Sequence, residues 1–529
     1  MPTIFTALQS HVQRDLRARA PALAVQAPPT TGPLLGVVGS LETVARKAPA
    51  RPTRRPRKHP PPPPLGRVSL KDRFRVVRKP TRKIAVVGGG LAGLCAAFEL
   101  ESLGYEVTVF EAQADVGGRT RSNHKIVPRR VVEEGAELIG RNHHAWWSYK
   151  YKFRLKFLPV GDPETPPIFL DGRRICDRVA VALGKEMHRA QKLINRAARP
   201  VNAHEPWKSR GAKRLDHLSL STALNRLPVS PLCRLALLEQ LQADNGVDAR
   251  SQSWLGNLAM VKGGGGARYW SDTETDRCAS GSQSLAFEFA KRLKRVKCSN
   301  PVTAIDVRQK GVEVTSRIGE SRVYDDVVLA IPPSLWRRRP LKIYPTLPKS
   351  LKVQFGKNVK YLLNVRRGAC AEESPEMTTD GPIDITWEGT DGQPGMRAGF
   401  VAFSGAKNAV RCRRWTPSKK NYLGRLSPVY PNLGVGSRKG ILADWISDTW
   451  TRGSYSFPKP GEVTRVGPTL RAGLHGRLHF AGEHTCYAFT GYMEGALQSG
   501  LRVARQIATR DRVIRRRRPW KPTSATRAR

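Results

Sequence analysis

A chain of 529 residues with 40% hydrophobic content has material for roughly three or four domains and a sizeable core, which excludes a wholly disordered protein. The formal charge of +48 points toward polyanions, but no helix-turn-helix, zinc-finger or RNA-binding signature accompanies it. The charge therefore reads as nonspecific polyanion contact and not as a specific nucleic-acid function. No run of about 18 apolar residues occurs, so no membrane-spanning helix is expected.

Residues 1–82 read as a disordered, basic, Pro-rich extension. Residues 1–83 hold 18 Lys/Arg against 3 Asp/Glu, and Arg51 to Pro64 runs RPTRRPRKHPPPPP, whose prolines favour extended polyproline structure. The start lacks the apolar stretch of a secretory signal, while its arginines and scarcity of acids leave an organelle transit segment as the alternative to a cytoplasmic location. The eight cysteines show neither redox nor metal spacing, so the reading is reduced thiols, a cytoplasmic compartment and no metal site.

The first strong signal starts at Lys83. Ile84 to Val87 is a short β-branched run, a buried parallel strand, followed at once by Gly88-Gly89-Gly90-Leu91-Ala92-Gly93. Leu94 to Leu103 is helix-like, Gly104 can close it, and Glu106 to Phe110 is a second strand ending in Glu111. In such a unit Gly88 permits a tight turn, Gly90 lets the backbone approach a pyrophosphate, and Gly93 lets the helix lie close to the strand. The helix N-terminus, which follows Ala92, offers free N–H groups to phosphates. Glu111 can accept hydrogen bonds from ribose hydroxyls. Strand, glycines, helix, strand and acid in register together predict a dinucleotide-binding, Rossmann-like α/β domain.

Six residues past Glu111 comes Gly117-Gly118-Arg119-Thr120, followed by Glu134-Gly135-Ala136-Glu137. Near the other end a strand-like RLHFA, Arg477 to Ala481, leads into Gly482-Glu483-His484-Thr485 and Gly491-Tyr492-Met493-Glu494-Gly495, then a helical Ala496 to Ile507. In these motifs the chain resembles the flavin-containing amine oxidases, the family of monoamine, polyamine and L-amino acid oxidases. The resemblance spans most of residues 83–509. It implies a GR2-type FAD-binding domain with an interleaved α+β substrate domain. The implied FAD segments are 83–150, 271–336 and 441–509; the substrate segments are 151–270 and 337–440; residues 510–529 form a basic tail. Arg515 to Arg518, four arginines in one block, is expected to stay solvated.

The resemblance also implies roles. Gly118 and Arg119 would reach the FAD phosphates, Gly135, Ala136 and Glu137 would run beside the flavin, and Val302 would face adenine. Gly482 and Glu483 would hold the ribityl chain, and the helix starting at Met493 would aim its N–H groups at the flavin pyrimidine, where its dipole favours negative charge. Gly281 to Leu285 resembles the turn and helix through which the chain re-enters the FAD domain. Asp115 departs from the pattern, standing where the family often has arginine. Tyr455 and Tyr492 match the two walls of the family's aromatic cage, and Lys360 matches a lysine that assists oxygen reaction. His484 reads as a structural partner of the flavin loop. Ser454 stands where membrane-bound monoamine oxidases carry the cysteine that tethers FAD, so FAD is expected to be noncovalent.

The implied reaction converts an amine C–N bond to an imine with O2 reduced to H2O2. Leu138 occupies the place of the carboxylate-clamping arginine of amino acid oxidases, which disfavours that substrate. The +25 carried between the basic ends disfavours polyamines by long-range repulsion, so apolar amines are the favoured class. An L-amino acid oxidase, a flavin desaturase or isomerase of the same fold and a noncatalytic flavoprotein scaffold are the alternatives. A homodimer is compatible with the sequence.

Overall fold

The computed structural model describes residues 68–516, apart from 162–165, 370–374, 416–418, 436, 438 and 439, together with residues 8, 11 and 12. At its centre five short strands form one parallel sheet. Their order is Val296–Lys297, Glu106–Phe110, Lys83–Val87, Asp326–Leu329, Leu478–Phe480. In chain order this is third, second, first, fourth, fifth, a doubly wound arrangement whose direction reverses beside the first strand, where such sheets bind ligands. The first strand is apolar throughout because both faces are covered. Ile84 and Val86 point into one hydrophobic cluster, Ala85 and Val87 into another.

The first cluster is roofed by the helices Leu91–Ser102 and Met493–Arg510, which lie against each other although about 400 residues separate them. Gly500 allows the approach. A Cβ there would stand 2.6 Å from the Ala92 carbonyl oxygen and 2.9 Å from the Ala96 nitrogen. The second cluster lies under a four-stranded sheet that contains the hairpin Val302–Arg308 and Gly311–Ser316.

A seven-stranded sheet makes the second region. Its order is Gly440–Asp444, Asn358–Arg366, Arg397–Gly405, Ile385–Glu388, Met377–Thr379, Ile168–Leu170, Arg173–Ile175. Helices Asp177–Ala198, Pro231–Asn245 and Trp254–Gly263 gather a separate apolar cluster beside it.

Three expected boundaries move. Lys83 does not begin the ordered chain: Leu70 and Phe74 are buried, and Phe74–Val76 pairs antiparallel with Ile514–Arg516. Arg515 therefore sits in a strand opposite Arg75, because Val513 and Ile514 bury themselves beside it and carry the basic block with them. Leu8 is likewise buried, and Leu8 and Val12 approach Gly184 of the long helix. Strand Gly440–Asp444 belongs to the seven-stranded sheet, so that segment ends after Asp444. The rest of the Pro-rich extension and of the tail lies outside the described residues.

Asp326 fastens the sheet to the last helix. Its fully buried carboxylate receives Arg510 Nη1 at 2.7 Å and Nη2 at 2.8 Å, Arg82 Nη1 at 3.2 Å and His479 Nε2 at 3.0 Å. Burial raises its pKa, and the hydrogen bonds from Arg510 and His479 outweigh that, holding it below the usual carboxylate range. Seven cysteines are described as free thiols, five of them buried, and Cys370 lies outside the described residues. No helix among the described residues is long and apolar enough to cross a membrane.

Gly500→Leu is expected to push the two helices apart, costing about 1–3 kcal/mol or more and lowering the melting temperature by several degrees. An unchanged melting curve would contradict the close crossing.

Candidate active site

The carboxyl ends of the central strands open into a cavity of about 490 Å3, lined by both ends of the sequence and by the seven-stranded sheet. The glycine turn forms one end. Gly88 has φ +112°, and a Cβ there would meet Ala330 and Ile331 at 3.0 Å. A Cβ on Gly93 would fall 2.0 Å from the Gly88 carbonyl oxygen, so this glycine sets the helix against the turn and stands back from the lining. Gly90 is different. It lines the cavity, and a Cβ would meet only the Gly117 carbonyl oxygen, at 3.9 Å, so a side chain would take up ligand space. Glu111 accepts the Gly89 N–H at 2.6 Å and the Gln113 N–H at 2.9 Å. Burial raises its pKa and those backbone bonds oppose the rise.

The Gly117–Arg119 loop meets distant parts of the chain through the Arg119 guanidinium. Arg119 Nη1 donates to Glu483 Oε1 and to the Ser454 carbonyl oxygen, each at 2.8 Å. Glu483 also receives the Ser456 N–H at 3.1 Å, the Ser456 hydroxyl at 2.6 Å and the Gly491 N–H at 2.8 Å. Burial raises this carboxyl, while Arg119, His484 and Ser456 together bring it below its ordinary value. Arg119, expected at phosphates, is thus paired with the residue expected at the ribityl chain. His484 is buried against Trp336, with neither ring nitrogen hydrogen-bonded among the described residues, and burial drops its pKa to about 3.

Gly135 lies where Arg119 crosses, and a Cβ would sit 2.0 Å from the Arg119 carbonyl oxygen. Ala136 donates its N–H to that same oxygen at 3.0 Å. Glu137 is buried and anchors a cationic pair, with Lys360 Nζ at 3.1 Å and Arg277 Nη2 at 3.5 Å. Lys360 Nζ also donates to the Gly135 carbonyl at 2.8 Å and the Glu133 carbonyl at 3.2 Å, and it lies 5.2 Å from the Trp387 ring centroid. Burial raises Glu137, but Lys360 and Arg277 outweigh it and keep the carboxylate ionised.

Tyr455 and Tyr492 line the cavity with their hydroxyls directed at acidic residues. Tyr455 donates to the Asp244 carbonyl oxygen at 2.8 Å, and Tyr492 reaches Glu274 Oε1 at 3.5 Å. Burial, followed by neighbouring groups that include Asp244 and Glu274, pushes both phenols well above their ordinary values, so both stay protonated. Val302, Gly118, Gly482, Met493 and Leu138 also face the cavity. The helix N-terminus at Met493 lies at the wall, with Glu494 turned away to accept the Ala145 and Trp146 N–H groups at 2.9 and 3.0 Å.

Comparison with known proteins now bears on this site. The family model for flavin containing amine oxidoreductase matches residues 91–508. The chain belongs to this family. An amine oxidase (flavin-containing) of Oncorhynchus mykiss is 26% identical over 461 residues, covering 81% of this chain and 86% of the relative. Amine oxidase (flavin-containing) B of Cavia porcellus is 28% identical over 487 residues, covering 83% and 88%. Among solved structures, cyclohexylamine oxidase from Brevibacterium oxydans superposes with a TM-score of 0.74 at 23% identity, covering 82% of this chain and 100% of that one. A putrescine oxidase structure gives 0.71 at 23%, covering 81% and 99%. This flavin amine oxidoreductase is therefore an FAD-dependent enzyme with the fold of these oxidases.

Several lining residues of the enzyme escaped the sequence reading. Asp244, Glu274, Asn358, Trp387 and Trp445 carry no motif spacing. The one available signal was Asp244, the sole acid in the last turn of a helix whose other charged residues are Arg234 and Glu239.

His484 gives a pH prediction. Its folded pKa of about 3 lies below the ordinary value of about 6.5, so the unfolded chain takes the proton first. Its contribution falls by about 1.4 kcal/mol per pH unit as pH drops below about 6.5. His484→Phe is expected to reduce the stability lost between pH 7 and pH 5 by about 2 kcal/mol in urea titrations. An unchanged loss would contradict a buried neutral imidazole.

Proposed function

We propose that the enzyme oxidises the C–N bond of a small amine to an imine and passes the electrons to O2, giving H2O2, with FAD held noncovalently. The observation that carries the reading is one cavity shared by a phosphate-type glycine turn, an ionised Glu483 and two protonated tyrosines. Bound FAD supplies a two-electron acceptor, chemistry that no protein side chain provides.

The lining fits that cofactor. Gly90 leaves ligand space at a helix N-terminus, where pyrophosphate is favoured by free N–H groups and the helix dipole. Gly88, Ala92, Gly118 and Arg119 would flank the phosphates, Glu111 the adenosine ribose and Val302 the adenine. Gly135, Ala136, Glu137, Gly482, Glu483 and Met493 would hold the flavin half. No cysteine or histidine is among the described lining residues, and Ser454 donates its hydroxyl to Asn358, which supports noncovalent binding.

The remaining residues bind and desolvate substrate. The rings of Tyr455 and Tyr492 exclude water and suit the neutral, nucleophilic amine. Lys360 places a buried cation at the wall, held in orientation by Glu137, where it favours the negative charge that develops when oxygen is reduced. Of its three protein acceptors the Glu133 carbonyl, at 3.2 Å, is the longest and the one that would yield to a water.

The test is a panel of amines and amino acids with peroxide readout on purified yellow protein. Amines are expected to release peroxide, and a flavin-loaded enzyme silent toward every amine would overturn the reading. Gly90→Val is expected to give folded, colourless protein, and normal FAD content would remove Gly90 from the phosphate site. Lys360→Met is expected to slow the oxygen reaction roughly tenfold or more while sparing anaerobic reduction by substrate. A normal oxidative rate would refute that role.

A further inference from the structure

Beyond the oxidation chemistry, we infer that the outer face of the helix Asp177–Ala198 docks on the phosphate backbone of duplex nucleic acid without reading its sequence. The inference starts from the two faces of this helix. Ala180, Leu183, Met187, Ala190, Ile194 and Ala198 recur every three or four residues and are buried in the cluster beside the seven-stranded sheet. Arg178, Lys185, Arg189, Lys192 and Arg196 fall on the opposite side of the same helix, and each is exposed. At 1.5 Å per residue they make a straight row about 27 Å long, on a helix that the core anchors along its whole length.

The row has one sign. Apart from Asp177 at the start, the only acid in the helix is Glu186, and its carboxylate is taken by the Ser230 N–H and hydroxyl, each at 2.5 Å. No ion pair joins the row to an acid among the described residues. Like charges three and four residues apart repel along a helix, and a linear polyanion laid against them relieves that repulsion. Lys262 lengthens the row, because its Nζ donates to the Arg199 carbonyl oxygen at 2.9 Å and so places one more cation at the end of the helix.

The chemistry of the face selects the partner. Duplex DNA carries one negative charge about every 1.7 Å of its axis, and a straight row of Lys and Arg answers that geometry by displacing counterions. A single strand is answered less well, since the helix has no aromatic side chain on which bases could stack. An anionic membrane is answered less well too: Val179 is the large apolar side chain that the helix exposes, and a surface helix needs several such anchors. The amides that could read adenine are turned inward, Gln191 buried and Asn195 accepting the Trp270 Nε1–H at 2.9 Å. What remains outward is charge, which positions a backbone and carries no sequence information. The row does not line the cavity, so the contact leaves the flavin site open.

The experiment follows binding of the full chain to a short random-sequence DNA duplex by fluorescence anisotropy, between about 50 and 200 mM salt. The triple variant Arg189→Gln, Lys192→Gln, Arg196→Gln is expected to bind roughly tenfold or more weakly at about 150 mM salt, with the slope of log K against log salt shallower by about two to three. A control with the same loss of charge on exposed lysines elsewhere, Lys310→Gln, Lys349→Gln, Lys352→Gln, is expected to bind nearly as the native chain does. Arg189→Lys with Arg196→Lys keeps the charge and is expected to keep the native slope. All are expected to melt at the native temperature; should the first triple melt early, Lys192→Gln alone, with a slope change of about one, decides. Equal weakening in the two triples, unweakened binding in the first, or loss of binding in the charge-conserving pair would each overturn the inference. Vesicles of phosphatidylcholine with phosphatidylserine form the second arm. If the first triple releases the vesicles while its hold on DNA stands, the partner is an anionic membrane and the nucleic-acid inference fails.

Discussion

The contact between Arg119 and Glu483 joins residues 364 positions apart and closes the wall around which the cavity is built. Glu483 is buried, and a buried carboxylate without a partner would cost several kcal/mol. Arg119 neutralises it, while Ser456 and Gly491 fill its remaining lone pairs. The same guanidinium holds the Ser454 carbonyl and so fixes the Ser454–Ser456 turn that carries Tyr455. One ion pair thus sets the distance between the glycine loop, the last strand and Tyr455. The helix crossing at Gly500 and the Asp326 cluster serve the same end from outside, bringing the final helix against the first.

Charge is distributed along the cavity according to task. At the glycine end the lining is backbone, dipole and one acid, suited to phosphates and sugar. In the middle Glu137 binds Lys360 and Arg277 in a buried network whose carboxylate stays ionised. At the tyrosine end burial, with the neighbouring groups, keeps both phenols protonated. Each group keeps its charge state through its neighbours, which is why the pKa shifts run in opposite directions within one cavity.

What the sequence revealed follows the range of the forces involved. The first strand, its glycines and Glu111 were legible because a βαβ unit is local, and Gly88, Gly90 and Gly93 each meet a different steric demand within six residues. The helix at Met493 was legible for the same reason. The Phe74–Ile514 strand pair was not, since three residues at each end pair across more than 400 positions and are masked by arginines. Glu274 was invisible because only the folded chain brings it to Tyr492.

The most direct measurement of the central claim, two distant chain segments meeting around one flavin nucleotide, is the flavin released on denaturation. Heat or acid treatment of the purified yellow protein should set free about one FAD per chain into the supernatant, identified by its absorbance and mass. Well-folded protein that is colourless and takes up no added FAD would contradict the account.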